Sequence, residues 1–444
     1  MLATFGVLVI GTFLVSAFAR QLNDWERQWL WGAFAMHLFM AAARWYVITY
    51  IYGFSDSFMY DRHGTELALS ILDDPFQVFP QALLSLFQQD NYLSVFIPGD
   101  GSSTGSMVVL TGLLHTITFQ SFEATSLAFM MLGFSGKCAI YLAFRSTMPK
   151  QLHRIALGAS LLVPSADFWT AGIIKEAVAM AGFGPLLLSV VRHLEGVRNP
   201  LNYARFIAGV TTVWLVKPYI LLVAAGGIAV YYYWHHAVLR GQVTIRPVRL
   251  VLAAVFALVG IYALGEVAPR FSLASLASET ARLQEAGVKG SGGSNYAIGG
   301  SGNASFARQI LLAPLGLLTA LFRPLLIDVR NPMMAVNALE TTGFLVLFGL
   351  SFARNRTRDI TAAIVRYPVL SFAISFTAVF GVAVGLTSAN LGSLSRYRVP
   401  LVPFYVLLLG AFGTREGRAA LKGRAPSQRP TQHKRNLQIP QLAK

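Results

Sequence analysis

An all-α, polytopic integral membrane protein is the fold class this sequence predicts, on three observations. Apolar runs recur from one end of the chain to the other, making 55% of it hydrophobic. Only 13% of the residues are charged, against roughly 25% in a soluble domain. The arginines and lysines fall in short patches between the apolar runs. Backbone in hydrocarbon must satisfy its own hydrogen bonds, and runs of this length do so as helices rather than as a barrel. The net charge of +16 follows from basic cytoplasmic loops and a basic tail, and calls for no nucleic acid.

The basic patches mark the cytoplasmic side. They are Arg20/Arg27, Arg145/Lys150/Arg154, Arg192/Arg198/Arg205, Arg240/Arg246/Arg249, Arg354/Arg356/Arg358 and the tail 414–444, with eight Lys/Arg against one Glu. Two patches on one side must be joined by an even number of spans. The stretch between Arg154 and Arg192 therefore reverses, at Pro164-Ser165-Ala166-Asp167. Proline is costly inside a helix, and Ser or Asp caps the helix that follows. The stretch between Arg205 and Arg240 reverses at Lys217-Pro218 by the same reasoning. Both pairs contain pieces shorter than the roughly 20 residues that cross a bilayer. Such pieces survive where they line a polar cavity or pack within protein.

The remaining elements follow in order. Leu2–Phe18 lacks a basic n-region and a convincing cleavage site and reads as a retained helix. Trp29–Tyr52 runs outward into an external loop, 53–105, with seven acidic residues and a single Arg62. Ser106–Phe119 is short and polar, a re-entrant or interfacial helix. Thr125–Phe144 returns inward. Val251–Val267 goes out, and 268–308 is an external loop with a Gly/Ser-rich stretch. Ile310–Phe322, with Pro314, dips without crossing. Met333–Phe352 comes in, Pro368–Thr387 goes out and Val402–Phe412 comes in. The expectation is about eleven spans (10–13) with re-entrant helices, the N-terminus outside and the C-terminus inside. Residues 1–413 form the transmembrane domain. The tail 414–444 is expected to be disordered against anionic headgroups.

This sidedness places a set of reactive residues on the outer face. Asp56 and Asp61 lie in "GFSDSFMYDRHG" just past a span, where a carboxylate can serve as general base toward a hydroxyl. Isolated from that setting, either would read as part of a solvated acidic loop. Lys175 and Glu176 are expected one to two turns into a helix. Intramembrane charge costs roughly 2.5–3.5 kcal/mol per residue, and helix neighbours do not face each other. Each therefore needs a partner on another helix, which a structural ion pair would equally supply. Lys217, Arg323, Arg396 and Arg398 are cations at outer helix ends, suited to a phosphate or diphosphate headgroup, or to snorkelling. Asp167, Glu340, Arg44 and Lys137 line the same cavity or pair within it. The single Cys138 permits no intramolecular disulfide. Among the eight histidines no zinc-type spacing occurs, and the chain has no P-loop, dinucleotide fingerprint or G-x-S-x-G.

Three segments carry a resemblance: "PSADFWTAGIIKEA" (164–177), "LFRPLLIDVRNPMMAVNALE" (321–340) and "NLGSLSRYRVPLVP" (390–403). With the order of span, acidic external loop, short re-entrant helices and late basic motif, residues 29–413 resemble the GT-C superfamily of membrane glycosyltransferases. They also resemble the membrane proteins of bacterial exopolysaccharide and O-antigen clusters. The resemblance implies transfer of a sugar from a polyprenyl phosphate or diphosphate at the outer face of the bacterial inner membrane. The acceptor is a glycan or a lipid-linked intermediate, as in a polymerase. The family's loop aspartate maps onto Asp56, with Asp61 as substitute, and Arg396, Arg398, Arg323 and Lys217 hold the leaving phosphate. The chain departs from the stricter pattern: it has no large soluble C-terminal domain and no adjacent Asp-Asp pair. No nucleotide or redox cofactor is required; a divalent metal at Asp56/Asp61 has no ligand signature. A flippase for the same lipid-linked glycan, or a scaffold in a polysaccharide assembly complex, are the competing classes.

Sidedness is checked by labelling. Cysteine introduced as Asp56→Cys is expected to react with an impermeant maleimide in intact cells, and Arg198→Cys only after permeabilisation. The reverse pattern overturns the topology.

Overall fold

The computed structural model describes residues 1–53, 55–241, 295–296, 306–388 and 390–423. Within them the chain is helical, apart from one antiparallel bridge between Asn295 and Asn390. Six helical stretches are long and apolar enough to cross a membrane: Leu2–Ala19, Asp24–Tyr52, Phe122–Thr147, Lys175–Leu194, Met334–Arg354 and Val369–Thr387. The expected span Val251–Val267, most of the loop 268–308 and the tail beyond Gly423 lie outside the described residues.

The first half comprises α1 (Leu2–Ala19), α2 (Asp24–Tyr46, continued as a π-turn to Tyr52), α3 (Asp56–Asp73), α4 (Pro75–Leu86), α5 (Ser103–Thr118) and α6 (Phe122–Thr147). Then come α7 (His153–Leu161), α8 (Pro164–Trp169), α9 (Lys175–Leu194), α10 (Pro200–Val216) and α11 (Pro218–Leu239). The second half holds α12 (Phe306–Phe322), α13 (Pro332–Arg354), α14 (Thr357–Arg366), α15 (Val369–Thr387), α16 (Leu391–Tyr397), α17 (Val402–Gly413) and α18 (Arg415–Lys422).

Both proline breaks fall where parity requires them. The chain leaves α7 at Leu161 and restarts at Pro164, the first residue of α8. Lys217 is the sole residue between α10 and α11. Two expected loops differ. The acidic stretch 53–105 contains α3 and α4 and leads into α5. Its seven acidic residues suggest a loop, whereas Leu67, Ala68 and Ile71 form the buried face of a helix. The start of the basic tail, Arg415–Lys422, is helix rather than disordered chain, held by the Thr414 cap and by docking against α17.

Small residues set the helix crossings. In the contacting pairs α6/α9, α9/α10, α3/α5 and α12/α15, a glycine of one helix lies against a glycine of the other. These are Gly136 against Gly184, Gly182 against Gly209, Gly64 against Gly112, and Gly316 against Gly385. A Cβ at Gly136 would strike the Met180 backbone. Close backbone approach of this kind replaces the hydrophobic drive that apolar solvent removes. Phe183, Phe372, Phe376 and Phe404 fill the centre with ring centroids 5.0–5.7 Å apart for neighbouring pairs.

The basic connections gather at one end of the bundle. Arg145 there meets Glu26, Arg354 donates to the Gly413 carbonyl, and Asn355 to Phe412. The opposite end holds the start of α3, the start of α9, the α10–α11 break and α16.

Gly136→Val is expected to lower stability by about 3 kcal/mol, read as a lower Tm in detergent. Gly226→Ala, whose added methyl meets nothing within 4 Å, should leave Tm unchanged.

Candidate functional site

Helix termini build the site. Asp56 opens α3 beneath a Ser55 cap, and Glu176 is the second residue of α9. Both carboxylates thus sit where unsatisfied backbone N–H groups favour negative charge. Lys217 closes α10, where exposed carbonyls favour a cation. Arg396 comes from the last turn of the short α16.

Glu176 joins these elements. Its Oε1 accepts from Lys217 Nζ at 2.6 Å and from Arg396 Nε at 2.9 Å. Arg396 extends its other arm, Nη1, to Asp56 Oδ2 at 2.8 Å. Glu176 is fully buried, whereas the Asp56 side chain is 44% exposed. The network therefore runs from a sealed anion to an accessible one. Lys217 also lies over the Tyr397 ring at 5.0 Å. Lys175 opens α9 instead of sitting inside it. It faces away from Glu176, as helix geometry requires, and donates to Ser103 Oγ and Thr104 Oγ1 at 3.0 Å each.

Asp61 stands apart. Five residues along α3 it faces α5, with Oδ1 3.0 Å from His115 Nε2. The angle is too poor for a hydrogen bond, and both atoms otherwise lack a partner. His115 Nδ1 in turn lies 3.0 Å from Thr125 Oγ1. The two aspartates thus belong to different faces of one helix, and only Asp56 joins the cations.

Arg398 and Glu340 form a second group. Arg398 is buried, donates Nη1 to the Arg323 carbonyl at 3.0 Å, and places Nη2 3.7 Å from Glu340 Oε1. Its Nε and Nη2 make no hydrogen bond. Glu340 accepts from the Ser165 backbone N–H at 2.9 Å and from its hydroxyl. Arg323 clamps Asp328, with Nε–Oδ2 at 3.0 Å, and that guanidinium holds the Asp328 carboxyl below its usual range. Arg323 also lies 4.9 Å from the Tyr296 ring centre. Asp167 belongs to neither group: it pairs with Lys137 in the interior.

A cavity of about 750 Å³ lies between these groups. Phe39, Met40, Val47, Phe168, Trp169 and Met334 form much of its wall, with Ser165, Arg330, Asn331 and Asn390 as polar points. Ser165 on its wall holds Glu340, and α16, whose Leu391 and Gly392 also line it, supplies Arg396 to the first group. Asn390 on its rim donates to Asn295 Oδ1 at 2.9 Å.

Sequence reasoning missed the partners. Arg44 donates to Ser57 Oγ at 2.8 Å and to the Ala171 carbonyl. Gly172, at φ +130°, leaves the space its guanidinium occupies. Polar residues inside apolar runs were the available signal, and it does not encode who pairs with whom. Among the described residues no group of three His, Cys, Asp or Glu is arranged to hold a metal ion. No protein-family model, curated protein or solved structure matches the chain.

Glu176→Gln leaves the buried Lys217 without a carboxylate and Arg396 with Asp56 alone, and is expected to cost about 3–5 kcal/mol. The double variant Glu176→Gln/Lys217→Met should be less destabilised than the single one in thermal unfolding. Equal Tm values for Glu176→Gln and the unaltered chain would remove Glu176 from its central place.

Proposed function

We propose that this chain transfers a glycosyl group from a polyprenyl phosphate or diphosphate carrier during assembly of cell-surface polysaccharide. The reading includes eleven spans, a GT-C-like architecture and a catalytic face on the outer side of a bacterial cytoplasmic membrane. The observation that carries it is a half-exposed carboxylate held by a cation network, with a largely apolar cavity of about 750 Å³ sharing α16 with that network.

In this mechanism Asp56 accepts the proton of an acceptor hydroxyl. The hydroxyl oxygen bonds to the anomeric carbon as the bond from that carbon to the carrier's phosphate oxygen breaks. Charge develops on the leaving phosphate, and Arg396 and Lys217, with Lys175 across the cluster, are placed to offset it. At rest Arg396 spends one arm on Asp56. A donor phosphate competing for that arm releases Asp56 to meet the acceptor hydroxyl at the moment of binding. Glu176 keeps Arg396 aimed throughout. Arg323 and Arg398 already serve Asp328 and Glu340, and their part is to frame the cavity. Asp61, turned toward His115, is the weaker candidate for the base. The carrier's apolar chain occupies the cavity lined by Phe39, Phe168 and Trp169, and the acceptor, a growing glycan or lipid-linked intermediate, approaches from the exposed side of Asp56.

Purified protein given labelled polyprenyl-linked sugars and an envelope-derived acceptor tests this. Asp56→Asn is expected to lower transfer at least about 100-fold while donor is still retained, and Arg396→Gln to weaken donor retention itself. Full transfer by Asp56→Asn overturns the assignment. Donor translocation that survives Asp56→Asn, with no transfer by either protein, supports a flippase in its place.

A further inference from the structure

Glycosyl transfer at one face needs no ionisable group sealed inside the helix bundle, yet three meet there. His37 of α2, Lys137 of α6 and Asp167 of α8 are each at most 1% exposed. Lys137 Nζ contacts Asp167 Oδ1, and His37 Nδ1 lies 3.2 Å from Nζ and 3.4 Å from Oδ1. Lys137 stands roughly 22 Å of helix from the start of α6 and roughly 15 Å from its end, so the group lies well inside a helix long and apolar enough to cross a membrane. Buried ion pairs rarely stabilise more than well-packed apolar side chains would. Charges kept within membrane spans mark ion and proton routes.

Two further features point the same way. The outer atoms of the group, His37 Nε2 and Asp167 Oδ2, are buried without a hydrogen-bond partner. A proton or an ordered water would enter and leave through such atoms. The group also interrupts a polar seam along α2 and α6. Lys137, Tyr141 and Arg145 recur every fourth residue on one stripe of α6. Tyr141 donates to Glu26 Oε1 at 2.6 Å, where Arg145 and His153 also converge. On α2, His37 follows Glu26 by about three turns and precedes Arg44 by about two. Arg44 then reaches Ser57, the residue after Asp56.

We propose that His37, Lys137 and Asp167 form an intramembrane proton-transfer site, and that the chain passes protons between its two faces along the α2–α6 seam. The Lys137 ammonium can only donate, so His37 Nδ1 accepts from it and the neutral ring carries its proton on Nε2. A proton arriving at Asp167 Oδ2 neutralises the carboxylate, and a proton passes from Lys137 Nζ to His37 Nδ1 as the Nε2 proton leaves. The Asp167 proton then passes to the Lys137 amine, and return of the imidazole to the Nε2 tautomer resets the site. The inference is independent of the glycosyl-transfer reading, because its test uses no sugar.

The full chain is reconstituted in vesicles enclosing a pH-sensitive dye, and a potassium diffusion potential is imposed with valinomycin. Vesicles with the protein are expected to acidify at least tenfold faster than empty ones. His37→Gln, and the charge-neutral pair Lys137→Met/Asp167→Asn, should remove the excess. Acidification no faster than in empty vesicles overturns the proposal and needs no variant. So does full flux in either variant that elutes as the same monodisperse species as the unaltered chain.

Discussion

A single buried carboxylate organises one end of this molecule. Glu176 has no water to solvate it, so its charge requires cations in contact, and the two it finds come from distant parts of the chain. Lys217 ties in the α10–α11 break, and Arg396 brings α16 and, through its second arm, α3. Four elements separated by up to 340 residues are thereby held at one point. The helix termini help, because each anion lies at a helix start and Lys217 at a helix end. Apolar packing in lipid is weakly directional, and an ion network of this geometry selects one arrangement among many that would bury similar surface.

The glycine crossings and the ion clusters divide the work. Glycine pairs such as Gly136/Gly184 and Gly316/Gly385 bring backbones close along the helix bodies. The charged groups act where helices end or break, leaving room for side chains and, between α2, α8, α13 and α16, for a cavity. Tight packing in one region is what lets an open space persist in the next. The functional proposals rest on that division: a charged rim at one end, an apolar chamber beside it, and a buried triad deeper in.

Much of this was legible without coordinates. Parity between basic loops located the reversals at Pro164 and Lys217, because charge sidedness is a global constraint that each short segment must obey. That Lys175 and Glu176 could not satisfy each other followed from helix geometry alone, and their separate partners agree. The acidic stretch 53–105 was harder. Its polarity resembled a loop, whereas α3 and α4 bury one face each. A loop reading left Asp56 and Asp61 interchangeable as the base. On a helix, five residues' separation turns them to different neighbours.

By itself, then, the sequence determined that the chain is helical, that it is apolar enough to cross a membrane, and where it must break. Those properties follow from hydrogen-bond satisfaction and charge counting, which are local or additive. Only the tertiary structure decided that Arg396 belongs to Glu176 and Asp56, Arg398 to Glu340, Asp61 to His115, and Lys137 to Asp167 and His37. Pairing depends on distances of a few ångströms between groups far apart in the chain. Many pairings satisfy the same composition, and packing admits one.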